Sequence, residues 1–233
     1  MRWLAVLLVA CVAGCGVNPI PEPPAAPELG DVTGAVCAVC DTGQVDLAGG
    51  PGSATNADAV WAVNLDGTAP PAVAEVGADG SFVLSLDLHL GDEARVQARR
   101  GEHRSAPVDL VVADGVLEPA PRPLADCFHV EPELELPDTA AFEVSTVALR
   151  LEHSCAEPLA IDAIALRAPA ADLALQGGPA PVVIAPGEPL DVRVEFRPRA
   201  SGPREEVLLI EASSPAVTAV TRRAVTLFGR GVP

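Results

Sequence analysis

Polar and apolar residues alternate one for one over long stretches of this chain. Phe82, Leu84 and Leu86 are interleaved with Ser81, Val83, Ser85 and Asp87. Leu190, Val192, Val194 and Phe196 are interleaved with Asp191, Arg193, Glu195 and Arg197. A period of two belongs to a strand with one buried face. The same reading predicts strands at Val32 to Val36, Ala59 to Leu65, Val73 to Val76, Ala94 to Ala98 and Val108 to Val112. Further on it predicts Val130 to Leu136, Val147 to Leu151, Leu159 to Leu166, Val182 to Ile184, Val207 to Ile210 and Ala224 to Phe228. Pro132 interrupts the first of these, so it is expected at a sheet edge. No helical stripe of useful length appears. Turn signals every 8–12 residues or so, such as Ala78-Asp79-Gly80 and Pro186-Gly187, are the spacing of sandwiches. The expected fold class is all-β.

Two proline-rich stretches divide the pattern. Residues 16–30 hold Pro19, Pro21, Pro23, Pro24 and Pro27, a composition that favours extended polyproline II and suits a stalk. Glu118 to Pro123 is expected to link two domains, and Gly49 to Ala57 to be a long loop. The predicted organisation is residues 1–14 as a leader, 15–30 as a proline-rich stalk, and sandwiches over 31–124 and 125–233.

The leader begins Met1-Arg2 and continues through an apolar run from Trp3 to Val12. That run is too short to span a bilayer as a helix, which takes about 20 residues. It closes on Val12-Ala13-Gly14-Cys15, which resembles the lipobox of bacterial lipoproteins. The resemblance implies cleavage before Cys15, lipidation of Cys15, and attachment to a membrane through acyl chains. One chain binds only marginally, so the two or three chains of such proteins are what would anchor it. Gly16 stands where an Asp often signals inner-membrane retention in these proteins, which leans the expected location towards the outer membrane.

Composition narrows the role. The chain has 233 residues, 49% of them hydrophobic, enough for two cores. Aromatics are only 3%, with no Tyr, and sugar- and base-binding surfaces lean on aromatic faces. A formal net charge of -17 repels phosphate backbones, which argues against nucleic acid as a partner.

Six cysteines are present. Beyond Cys11 and Cys15, the remaining Cys37, Cys40, Cys127 and Cys155 are disulfide candidates in an exported chain. Cys37-Ala38-Val39-Cys40 has metal-site spacing, but a zinc site needs four ligands and no second such pair exists. Cys127 with Cys155 is the expected pair in the second domain. Glu131, Glu133 and Glu135 fall on alternate positions, and the acids Asp87, Asp92 and Glu93 gather around one loop. Either set could bind calcium. Like charges in alternation more often mark a solvated edge that discourages strand association. His89, His103, His129 and His153 show no ligand spacing. His153 and Ser154 are sequence neighbours, a poor geometry for a nucleophile–base pair, and no GxSxG, GxGxxG or P-loop occurs. No catalytic residue, cofactor or metal is expected.

Two resemblances sharpen the fold. Asp79-Gly80-Ser81-Phe82, then Gly91-Asp92, the strand Ala94 to Ala98, and Ser105-Ala106-Pro107-Val108 resemble bacterial Ig-like or carboxypeptidase-regulatory-like modules. In the second domain the residues are Val147 to Leu151, Glu157-Pro158-Leu159-Ala160-Ile161, Ile184 to Pro198 with Pro186-Gly187, and Val225 to Gly231. They resemble the ASH-type Ig-like fold of abnormal-spindle and hydin-type domains. One departure is His153-Ser154-Cys155, where an Asn-led turn is usual. Both resemblances imply binding or scaffold modules and carry no active site. The expected role is a non-catalytic, membrane-tethered envelope lipoprotein that contacts other proteins. The alternative is a calcium- or small-ligand-binding surface module.

Overall fold

A computed structural model describes residues 25–36, 43–176 and 181–233. Every regular element among them is a strand. The lipobox with Cys15, and also Cys11, Cys37 and Cys40, lie outside the described residues.

The first unit is built from β1 (Glu28–Leu29), β2 (Thr33–Val36), β3 (Gln44–Gly49), β4 (Ala54–Thr55), β5 (Ala59–Asn64), β6 (Ala72–Glu75), β7 (Phe82–Asp87), β8 (Glu93–Arg100), β9 (His103–Arg104), β10 (Val108–Ala113) and β11 (Val116–Pro119). Nine of these form one sheet in the order β6-β5-β8-β10-β11-β2-β3-β7, with β9 added on β8. The sheet folds over on itself, so that its terminal strands β6 and β7 come within 8 Å. Val45 and Leu47 of β3 and Phe82, Leu84 and Leu86 of β7 meet Val60, Ala62, Val96 and Leu110 from the other half. Strand β3 was not expected. The described end of the stalk is also not free. Pro27 is buried, β1 pairs with β4, and the Gly30 N–H donates to the Ser53 carbonyl at 2.7 Å. The pairing also gives part of the expected Gly49–Ala57 loop a strand.

The second unit contains β12 (Phe128–Val130), β13 (Glu133–Glu135), β14 (Thr139–Ala140), β15 (Ser145–His153), β16 (Leu159–Leu166), β17 (Leu173–Gln176), β18 (Val182–Ile184), β19 (Leu190–Phe196), β20 (Gly202–Ser214) and β21 (Val217–Val232). A sheet ordered β12-β15-β19-β17 packs on one ordered β13-β21-β20-β16-β18. This is a β-sandwich. Its core joins Phe128, Leu149, Leu151, Val192, Val194 and Phe196 to the inner faces of the other sheet, among them Ile161, Leu208, Ile210 and Leu227. Strands β16, β18 and β19 run over the residues predicted for them, and β16 carries a bulge between Ile161 and Ala163. Pro132 splits the predicted Val130–Leu136 strand, sending β12 to one sheet and β13 to the other.

The two glycines of the terminal motif have a packing reason. A Cβ on Gly229 would lie 2.7 Å from the Leu136 Cβ, and one on Gly231 only 2.2 Å from the Ala200 carbonyl oxygen. Backbone approaches this close admit only glycine.

His153 ends β15 with its ring turned to the core, 3% exposed, and neither ring nitrogen has a hydrogen-bond partner among the described residues. A buried, unpaired polar group costs about 1–3 kcal/mol. His153→Leu is therefore expected to raise the midpoint of denaturant unfolding without changing its slope.

Candidate functional site

The second faces of β5 and β8 are buried as well. Trp61, Val63, Arg95, Gln97 and Arg99 share one side of this strand pair. Val207, Leu209, Ala224 and Thr226 share one side of the β20–β21 pair. The two sides pack together, and Trp61, Val63 and Leu65 cluster with Val207 and Ala224. The units thus meet sheet to sheet.

Around this apolar patch lies a polar seam. Arg95, 2% exposed, donates through Nε and Nη2 to both Asp109 carboxylate oxygens at 2.8 and 2.9 Å. Its Nη1 crosses to the second unit, reaching the Pro132 carbonyl at 3.0 Å and the Thr226 hydroxyl at 3.2 Å. Gln97 Nε2 donates to Glu133 Oε1 at 2.8 Å. Arg99 pairs with Glu205 through two nitrogens, and its guanidinium lies 4.5 Å from the Trp61 ring centroid. Burial holds the Arg99 pKa below the ordinary guanidinium value, against the pull of Glu205. Arg167 and Arg222 reach back the other way, to the Gly67 carbonyl at 2.8 Å and to Asp66 at 2.7 Å.

The expected interdomain linker is absorbed into this seam. Glu118 and Pro119 belong to β11. Arg122 lies 2.9 Å from Glu93 and 3.0 Å from Asp109. The Pro123 carbonyl accepts from the Thr221 hydroxyl at 2.6 Å and from Arg223 at 2.9 Å. Here Pro121 and Pro123 stiffen a clamp, not a hinge.

The carboxylates singled out in the sequence are spread among other tasks. Glu133 is held by Gln97, so it faces the neighbouring unit instead of bulk water, and Pro132 separates it from Glu131. Asp92 Oδ2 accepts from Asn64 at 3.0 Å and from the His89 N–H at 2.9 Å. Among the described residues no group of three or more His, Cys, Asp or Glu is placed to hold a metal ion. Cys127 and Cys155 are bonded, with Cα atoms 4.8 Å apart.

A cleft of about 890 Å³ lies beside the seam, lined among others by Arg99, Arg104, Glu133, Glu135, Glu205 and Arg230. Its arginines are already engaged, while Glu135 and Asp138 also line it. Glu205 faces Arg99 and Arg104, Arg104 sits 3.8 Å from the Phe228 ring centroid, and Arg230 lies 2.8 Å from Glu102. At the far end of the second sandwich the surface is different. Phe142 is 66% exposed and Val144 is exposed too. Phe142 has φ of +71°, a conformation rare for a bulky side chain. Its N–H donates to the Pro198 carbonyl at 2.7 Å, and its carbonyl accepts from Arg197 Nε at 3.3 Å.

No protein family and no curated protein matches the chain. Solved structures do resemble it. An ASH/PapD-like domain of human CEP192 aligns at 16% identity over 49% of this chain and 92% of its own, with a TM-score of 0.41. A Porphyromonas gingivalis protein of unknown function aligns at 12% identity over 80% and 90%, with a TM-score of 0.37. The Vibrio cholerae VesB protease aligns at 11% identity over 76% of this chain and 63% of its own, with a TM-score of 0.40.

Proposed function

We propose that this chain is a non-catalytic, lipid-anchored module of the bacterial envelope that presents a stiff two-sandwich body to protein partners. The observation that carries the reading is the seam. Arg95 is sealed between the units and bonded to both, and Gln97, Arg99, Arg167 and Arg222 repeat the crossing around it. A body joined in this way holds its outer surfaces in fixed relation, which suits a platform. The cleft beside the seam fits the same reading, because each of its arginines is already paired with a carboxylate. Val12-Ala13-Gly14-Cys15 supplies the tether, with the outer membrane as its destination.

The test compares the wild type with Cys15→Ser in the source cells. Metabolic labelling with a fatty acid, membrane fractionation and in-cell crosslinking are read together. The wild type is expected to carry label, sediment with membranes and crosslink to a repeatable partner. The variant is expected to lose the label and turn soluble. A variant that stays on the membrane overturns the anchor, and a wild type without a repeatable partner overturns the platform.

A further inference from the structure

The described chain starts at one end of the two-unit body. The Asn56 side chain donates to the Ala26 carbonyl at 3.5 Å, and Glu28 pairs with Thr55. Thr55, Asn56 and Asp58 share a hollow of about 620 Å³ with Arg100, so this entry lies beside the turn that joins β8 to β9. Glu102 in that turn is paired with Arg230, 2.8 Å away near the end of β21. Past Arg230, Gly231 pairs with Thr139 and Val232 with Ala140, and the Ala141 N–H donates to the Val232 carbonyl at 3.0 Å. Phe142 is the next residue. These steps put Ala26 and Phe142 on the same end. The opposite end is where Arg222 meets Asp66 at 2.7 Å and Asn64 pairs with Ala94. Leu90, more exposed than Phe142, stands there in the loop between β7 and β8.

What projects at the first end is apolar and held in place. Phe142 and Val144 are both exposed. Phe142 keeps its φ of +71° through the bond from its N–H to Pro198 and the bond from Arg197 to its carbonyl. Backbone strain that the surroundings hold in place clusters at functional positions. Charge does not explain the display. Glu102, Asp138 and Glu143 are exposed at this end, and so are Arg197, Arg199 and Arg230, so neither sign prevails.

The tether decides what lies opposite. Gly16 to Pro24 is all that separates Cys15 from Ala25. It holds fewer residues than β21, whose 16 residues are almost fully extended, so the tether is shorter than the body. A lipid on Cys15, as proposed, would keep the Ala26 end nearest the bilayer and leave Leu90 farthest from it.

We infer that Phe142 and Val144 form a second, non-covalent contact with that bilayer, dipping into its headgroup layer and setting the tilt of the body. The inference rests on the lipid-anchor reading and deepens it. Phe is among the residues that interfacial segments bury at this depth. Insertion is shallow, with Glu143, Arg197 and Arg199 left among the headgroups, and the mixed charge suits a zwitterionic surface. Two apolar side chains hold a membrane only weakly, as even one acyl chain does. Within reach of a short tether the contact becomes an intramolecular step at high effective concentration.

The experiment reads Phe142→Trp in the lipidated protein, purified from its source cells, on phosphatidylcholine vesicles with and without bromine on the acyl chains. Trp61 is buried at the seam, and the unsubstituted protein supplies the background. Bromine is expected to lower the added emission about twofold, as it should for a side chain at the headgroup–acyl boundary. Val144→Trp repeats the reading at the second residue, and Leu90→Trp is expected to keep its emission. High salt is expected to change the quenching little, because the contact is apolar. Cys15→Ser is expected to abolish it. The inference is overturned by equal quenching at Leu90, by quenching that high salt removes, or by quenching that survives Cys15→Ser in full. No quenching at Phe142 and Val144 on vesicles that do hold the protein also overturns it, leaving the anchor standing and the tip to a protein partner. A wild type without fatty acid that stays off the vesicles removes the anchor and this contact together.

Discussion

Replacing Arg95 by alanine is expected to destabilise the protein by about 3–5 kcal/mol, because it strips one partner from a buried pair and leaves the other charged. Asp109 would lose both bonds from the guanidinium, and the Pro132 carbonyl and Thr226 hydroxyl would lose their donor. Urea unfolding checks it, with Val183→Ala as an exposed control expected to change little. The pair also sets a dependence on pH. Burial works against the charged Asp109, but the bonds and charge of Arg95, with Arg122 beside them, outweigh it and hold its pKa below the usual carboxylate value. A carboxyl depressed in the folded state stabilises at pH above its unfolded value, about 3.9, and that contribution fades as pH falls through the folded value. Arg95→Ala should therefore flatten the acid limb of the stability curve. An unchanged acid limb would show that Asp109 is held by Arg122 instead.

Opening the second sandwich's crosslink is expected to cost about 3.5 kcal/mol. Cys127 and Cys155 are 28 residues apart, and closing a loop of that size removes unfolded-state entropy of this order. The bond also holds β12 against β15 just where the chain enters the domain, since Phe128 pairs with His153 and the Ser154 N–H donates to the Cys127 carbonyl. The Cys127→Ser/Cys155→Ser double variant is expected to unfold at lower urea. It should also show faster amide exchange at Phe128 and Val130 than at Val192 and Val194 in the sheet centre. Uniform loss across the sandwich would mean that the bond acts through the unfolded chain alone.

Strands with one wet face were legible from the sequence, and β7 and β19 show it. Their side chains meet water on one side and core on the other, so the period of two survives in the residues. Strands β5 and β8 were legible only in part. A strand was expected over Ala94 to Ala98, and Ala94, Val96 and Ala98 do face the core, but in the sequence Arg95, Gln97 and Arg99 look like a solvated face. A polar row carries the same letters whether it meets water or a second polar sheet, so the seam was hidden. The run Ala59 to Leu65 did hold a signal, since an apolar stretch without alternation marks burial on both sides. Strand β3 hid behind Gly49 and Gly50, and β17 is too short for a period to show.

The pairing of Glu28 and Leu29 with Thr55 and Ala54 has a consequence for reach. With the chain from Pro27 already laid on the first sandwich, a leash from a lipid on Cys15 has little more than Gly16 to Pro24 to spend, about 30 Å at full stretch. Were Cys15 lipidated as proposed, the body would be confined to a thin shell next to the bilayer, and a partner would have to come down to that layer to be caught.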